Sequence, residues 1–153
     1  MQKPSSALTV LIMLLAILLV PPLVFLLVGI SSDMPASSVL SALIEQYTQK
    51  KRNLLAIGSF ACLPLLLIPL VLWLYKRFGG AAELRPVLSW SGFLGILLVT
   101  LWVNFEFWPD YLPSRVYPGF PHGLEFVIGP LFFAPAAMVM CMLVAWLVYR
   151  KSG

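Results

Sequence analysis

Charge is what this sequence has least of. Of its 153 residues, ten are Lys or Arg and six are Asp or Glu, so 10% of the chain is charged. A soluble domain carries about 25%. So few charges cannot coat a domain of this size, which excludes a soluble globular protein. An apolar fraction of 61% excludes a disordered chain. A net charge of +4 spread along the chain offers no footprint for nucleic acid. Cysteine is nearly absent. Cys62 and Cys141 both lie in apolar runs, with no CxxC, so neither a disulfide framework nor a thiolate metal site is expected. There is one histidine, His122, and one chain therefore cannot supply the paired axial ligands of a b-type haem.

Catalytic and cofactor signatures are missing as well. The sequence holds no Gly-rich phosphate loop, no HExxH, no GxSxG and no EF-hand pattern. It also lacks the paired intramembrane aspartates of lipoprotein signal peptidases and the external CxxC of quinone-linked disulfide enzymes. The membrane-embedded Glu of small multidrug exporters is absent too. The expectation is no cofactor and no metal.

What the sequence does have is four long apolar runs. They extend over 7–30, 54–75, 87–105 and 124–148, with no charge in any interior. About 20 apolar residues cross about 30 Å of hydrocarbon as a helix. The runs are continuous rather than alternating, which excludes a β-barrel. The expectation is an all-α integral membrane protein: a single domain over 1–153, a bundle of four transmembrane helices. The first run is too long for a signal peptide's apolar core and is interrupted by Pro21-Pro22, so it reads as a retained span.

Loop charge predicts orientation. One side would hold Lys3, Lys76, Arg77, Arg85, Arg150 and Lys151, the other Lys50, Lys51, Arg52 and Arg115. This places both termini in the cytoplasm and the bundle in the plasma (inner) membrane. Of the acids, only Glu83 falls on the cytoplasmic side.

Two outer loops follow. In the first, Ser37 or Ser38 is an N-cap candidate, and Val39, Leu40, Leu43, Ile44 and Tyr47 fall on one helical face. This predicts a short amphipathic helix lying in the interface. The second, Glu106 to Gly123, contains Pro109, Pro113, Pro118 and Pro121 with five aromatics. The prolines predict a rigid non-helical cap along the outer surface.

That loop gathers the candidate functional residues. Glu106, Asp110, His122 and Glu125, with Arg115 among them, are the groups that could do acid–base work. Trp108, Tyr111, Arg115 and Tyr117 are the candidate binding anchors, since aromatics and Arg dominate contact hot spots. Proline doublets occur in three spans: Pro21-Pro22, Pro64 with Pro69, and Pro130 with Pro135. Each removes an intrahelical bond and predicts a kink. Gly92 and Gly95 on the third span, and Ala137, Cys141 and Ala145 on the fourth, form small-residue rows suited to helix packing. Met138 is read as facing away from Met140 and Met142, all three as gap-fillers.

The function these features favour is protein–protein contact within the membrane, by an accessory, regulatory or immunity-type subunit. The expected partners are membrane lipids and another membrane protein or a second copy of the chain. A small oligomeric transporter or channel is one alternative. A membrane enzyme using the outer-loop acidic and His cluster is another, with a non-enzyme favoured over it.

Overall fold

A bilayer offers the backbone nothing to bond to, so each apolar run satisfies its own peptide groups as a helix. The computed structural model describes residues 6–48, 54–114 and 124–152. Lys3, Lys50, Lys51, Arg52, Arg115, Tyr117 and His122 lie outside them. The described residues contain no strand. In chain order come α1 (Ser6–Ser31), α2 (Ala36–Thr48), α3 (Leu54–Cys62), α4 (Leu67–Arg77), α5 (Arg85–Ser114), α6 (Glu125–Ile128) and α7 (Ala134–Ser152). A 3₁₀ turn, Leu63–Leu66, joins α3 to α4, and a π-helical turn, Gly129–Phe133, joins α6 to α7. Four helical stretches are long and apolar enough to cross a membrane: Ala7–Ser31, Leu54–Arg77, Ala82–Leu112 and Glu125–Lys151.

Three of these spans follow the hydropathy runs. The third does not. It does not stop near Phe105: α5 continues through Glu106, Trp108, Pro109, Asp110 and Tyr111 to Ser114. The non-helical cap predicted from Glu106 onward is therefore wrong for residues 106–114. The physical reason lies in the spacing of the apolar residues. Val103, Phe107, Trp108 and Leu112 fall on one helical face and are all buried, while Pro109 faces outward. A proline costs one i→i−4 bond, and burial of that face outweighs it. At 30 residues, α5 is about 45 Å long. It therefore projects beyond about 30 Å of hydrocarbon.

The prolines of the other spans act unequally. Pro21 and Pro22 sit inside a continuous α-helix. Pro64 coincides with the 3₁₀ turn and Pro130 with the π turn. These two irregular turns touch each other in the middle of the bundle.

At the centre of the bundle stands α5, packed on α7 in the most extensive contact and on α1 on its other flank. Gly95 is what lets α7 approach. A Cβ there would lie 2.5 Å from the Ala137 carbonyl oxygen. Gly92, in contrast, faces the side chains of Met138 and Met142. Met138 and Met142 are both buried and share a face, whereas Met140 is exposed. The reading that set Met142 apart from Met138 overlooked their i, i+4 spacing. Ala137, Cys141 and Ala145 are half-buried beside them. Cys62 and Cys141 are free thiols.

Between α1 and α2 the chain turns at Asp33, whose φ is 54°. Ser31 and Ser32 hydroxyls donate to the Val28 carbonyl at 3.0 and 2.8 Å, capping the end of α1. The helix α2 begins earlier than the serine caps imply. Ser38 and Val39 amides donate to the Pro35 carbonyl at 2.8 and 3.1 Å, so Ser37 and Ser38 lie within the first turn. Its buried face is Val39, Ala42 and Gln46, with Leu40, Ile44 and Tyr47 exposed on another. Val39 docks on Gly29 of α1, where any Cβ would meet its methyls at 2.5 Å.

Candidate functional site

The bundle has two ends of different chemistry. The α2 end carries most of the residues singled out from sequence. Trp108 is not a surface anchor there: it is 1% exposed. Its ring meets Phe25 of α1 edge-on at 4.9 Å and Phe107 at 4.9 Å. Phe107 in turn meets Phe126 of α6 at 4.8 Å. These rings tie α1, α5 and the start of the fourth span into one cluster, which is a packing role. Tyr111 is half-buried against the same cluster, and its hydroxyl accepts from Gln46 Nε2 of α2 at 3.1 Å. Gln46 Oε1 is buried without a partner.

Below this cluster runs a polar string along α5. Trp108 Nε1 donates to Asn104 Oδ1 at 2.9 Å, Asn104 Nδ2 donates to the Thr100 carbonyl at 2.8 Å, and the Thr100 hydroxyl donates to the Ile96 carbonyl at 2.8 Å. Thr100, Asn104 and Trp108 recur every fourth residue, so they stack on one face. That spacing is readable from sequence, although scanning the spans for ionisable groups alone passes over it. Thr100 and Asn104 also line a small cavity of about 10 Å³ beside Phe126 and Pro130, roughly the space one water needs.

The acid–base candidates do not converge into such a cavity. Glu106 and Asp110 are exposed on the outward face of α5, one turn apart, and Glu125 is half-exposed at the start of α6. Among the described residues no three of His, Cys, Asp and Glu come together as a metal site would require. His122, Arg115 and Tyr117 fall outside the described residues.

The opposite, basic end holds a feature that sequence reasoning missed. The second and fourth spans part there: α4 and α7 make at most marginal contact. Between them lies an apolar groove of about 630 Å³, lined by Val71, Tyr75, Leu88, Met142, Leu143 and Trp146 among others. The chain leaves α4 through a Schellman turn. The Gly80 amide donates to the Tyr75 carbonyl at 2.9 Å and the Gly79 amide to that of Lys76 at 3.2 Å, with Gly79 at φ +78°. Gly80 presses on the Tyr75 ring, where a Cβ would come within 2.3 Å. Phe78, 83% exposed, stands at the groove's mouth. Arg77 and Arg150 lie over the rings of Trp73 and Trp146 at 5.6 and 5.4 Å.

Comparison with known protein families, with curated proteins and with solved structures gives no match for this chain.

Proposed function

We propose that this protein works by contact inside the membrane, as an accessory, regulatory or immunity-type subunit bound to another membrane protein. In this reading it resides in the plasma (inner) membrane with both termini cytoplasmic. The observation that carries it is the outward face of α5. Trp90, Leu94, Leu98, Trp102 and Phe105 recur along one side of the central helix and are all exposed. Trp102 is steadied edge-on against Phe133 at 5.7 Å. A central helix that leaves one aromatic-rich face uncovered suits a partner's transmembrane helix, and Trp is a favoured hot-spot residue. The buried polar side chains Thr100, Asn104 and Trp108 are already bonded within α5, and this supports a packed adaptor over a substrate path. The recognition surface accordingly moves from Trp108 and Tyr111, which pack internally, to the α5 face.

The test is site-specific photocrosslinking. A photoreactive residue at Leu98 is expected to trap one discrete membrane protein, and Trp90→Ala with Trp102→Ala to abolish its capture in mild detergent. Capture undiminished by both substitutions would remove this face from consideration.

A transporter remains a second reading because the 3₁₀ and π turns at Pro64 and Pro130 lie side by side next to the Thr100–Asn104 cavity. Broken helices of this kind line transport sites in known folds. Solute flux in liposomes holding the purified chain alone would favour it over the contact reading.

A further inference from the structure

We propose that the groove between α4 and α7 seats an anionic phospholipid, one acyl chain lying in the groove and the phosphate held at its cationic rim. The walls suit a hydrocarbon chain. Leu88 and Met142 are buried and form the floor, with Val71, Leu143 and Trp146 beside them. A volume of about 630 Å³ falls within the ~300–1,000 Å³ usual for small-molecule sites.

The rim suits a phosphate. Lys76 and Arg77 close α4, Arg85 opens α5, and Arg150 and Lys151 sit in the last turn of α7. Against these five cations this end has one carboxylate, Glu83, which accepts from the Tyr149 hydroxyl at 3.4 Å. The other five acids of the chain belong to the α2 end. Arg150 is stacked over Trp146, itself a groove wall. Stacking on a ring leaves the N–H edge of a guanidinium free for a phosphate oxygen. Arg85 stands one helical turn before Leu88 at the start of α5 and adds a guanidinium that stays charged at any physiological pH. Charge selects an anionic lipid over a zwitterionic one, whose ammonium the same rim would repel. A partner's transmembrane helix would fill the groove but would leave this rim without counter-charge.

Native mass spectrometry of the delipidated full-length protein in detergent tests the site, with phosphatidylglycerol, phosphatidylcholine and inorganic phosphate as separate probes. Retention of phosphatidylglycerol alone is expected. Arg150→Gln, at an exposed position, and Arg85→Gln should each weaken it about tenfold, in line with charge-assisted hydrogen bonds. Leu143→Trp, which fills the groove and leaves the rim intact, should weaken it at least as much, while Leu19→Trp on the exposed side of α1 should not. Equal retention of phosphatidylcholine overturns the proposal, as does binding of phosphate alone. Undiminished lipid in Leu143→Trp reduces the rim to a surface attraction and also overturns it. Loss of a co-purifying protein from that variant, with lipid kept, assigns the groove to a protein partner instead.

Discussion

Replacing Gly95 with alanine perturbs the point where, among the glycines of the described residues, a facing backbone comes nearest. The added Cβ would lie 2.5 Å from the Ala137 carbonyl oxygen, 2.6 Å from its carbon and 2.7 Å from the Met138 amide nitrogen. Ordinary contact for a Cβ begins at 3.4 Å, so α5 and α7 must separate by roughly 0.9 Å. Overpacking costs about 1–3 kcal/mol, and the upper end applies because the obstacle is backbone on both sides and cannot rotate away. Alanine returns about 1 kcal/mol of helix propensity over glycine. The net loss is about 2 kcal/mol, some 30-fold in the unfolding equilibrium. Gly92→Ala is the control. Its Cβ would meet Met142 Cε at 2.4 Å, but that is the end of a flexible side chain, so the same propensity gain should leave it within about 1 kcal/mol of the parent. Titration from mild detergent into SDS, followed by far-UV circular dichroism, measures both. A Gly95→Ala variant as stable as the parent, or a Gly92→Ala variant equally damaged, would refute the packing argument.

Three further outcomes are expected. Asn104→Leu removes the acceptor of Trp108 Nε1 within α5 and should cost about 1 kcal/mol, since side-chain hydrogen bonds inside membranes average about 0.6 and reach about 1.7; in a Trp108→Phe background the same change should cost measurably less, and an equal cost in both backgrounds would show the bond to be without weight. Gly79→Ala forces a side chain into φ +78° and should destabilise by about 1–2 kcal/mol, read by the same titration, while Gly79→Asn should recover part of the loss. A reporter active only in the cytoplasm, fused after Gly153, should give signal, and silence from it with signal from an external reporter would reverse the proposed topology.

The spans were legible because lipid imposes a length and an apolar composition, and residues 7–30, 54–75 and 124–148 lie close to helices Ala7–Ser31, Leu54–Arg77 and Glu125–Lys151. The end of α5 was not. Proline read locally argues against helix, whereas Pro109 sits on the exposed side of a helix whose other side buries Phe107, Trp108 and Leu112. Trp108 shows why a candidate anchor cannot be assigned from residue type. The same ring serves as a surface hot spot or as a core wedge, and Phe25 and Phe126, distant in sequence, decide which. The small-residue rows were readable, but Gly95 meets backbone and Gly92 a methionine side chain, a difference set by the facing helix.

By themselves, the scarcity of charge and the four long apolar runs determined four helices apolar enough to cross a membrane, because a backbone in lipid must bond to itself. They also determined where the few charges could stand, at the helix ends. Only the tertiary structure decided that α5 is central, that the Thr100, Asn104 and Trp108 face turns into the bundle and is buried there, and that α4 and α7 part to leave a groove under a cationic rim. Periodicity says which face of a helix is apolar. Which apolar face meets another helix and which meets lipid depends on neighbours brought together only when the chain folds, and in a membrane both choices look alike in sequence.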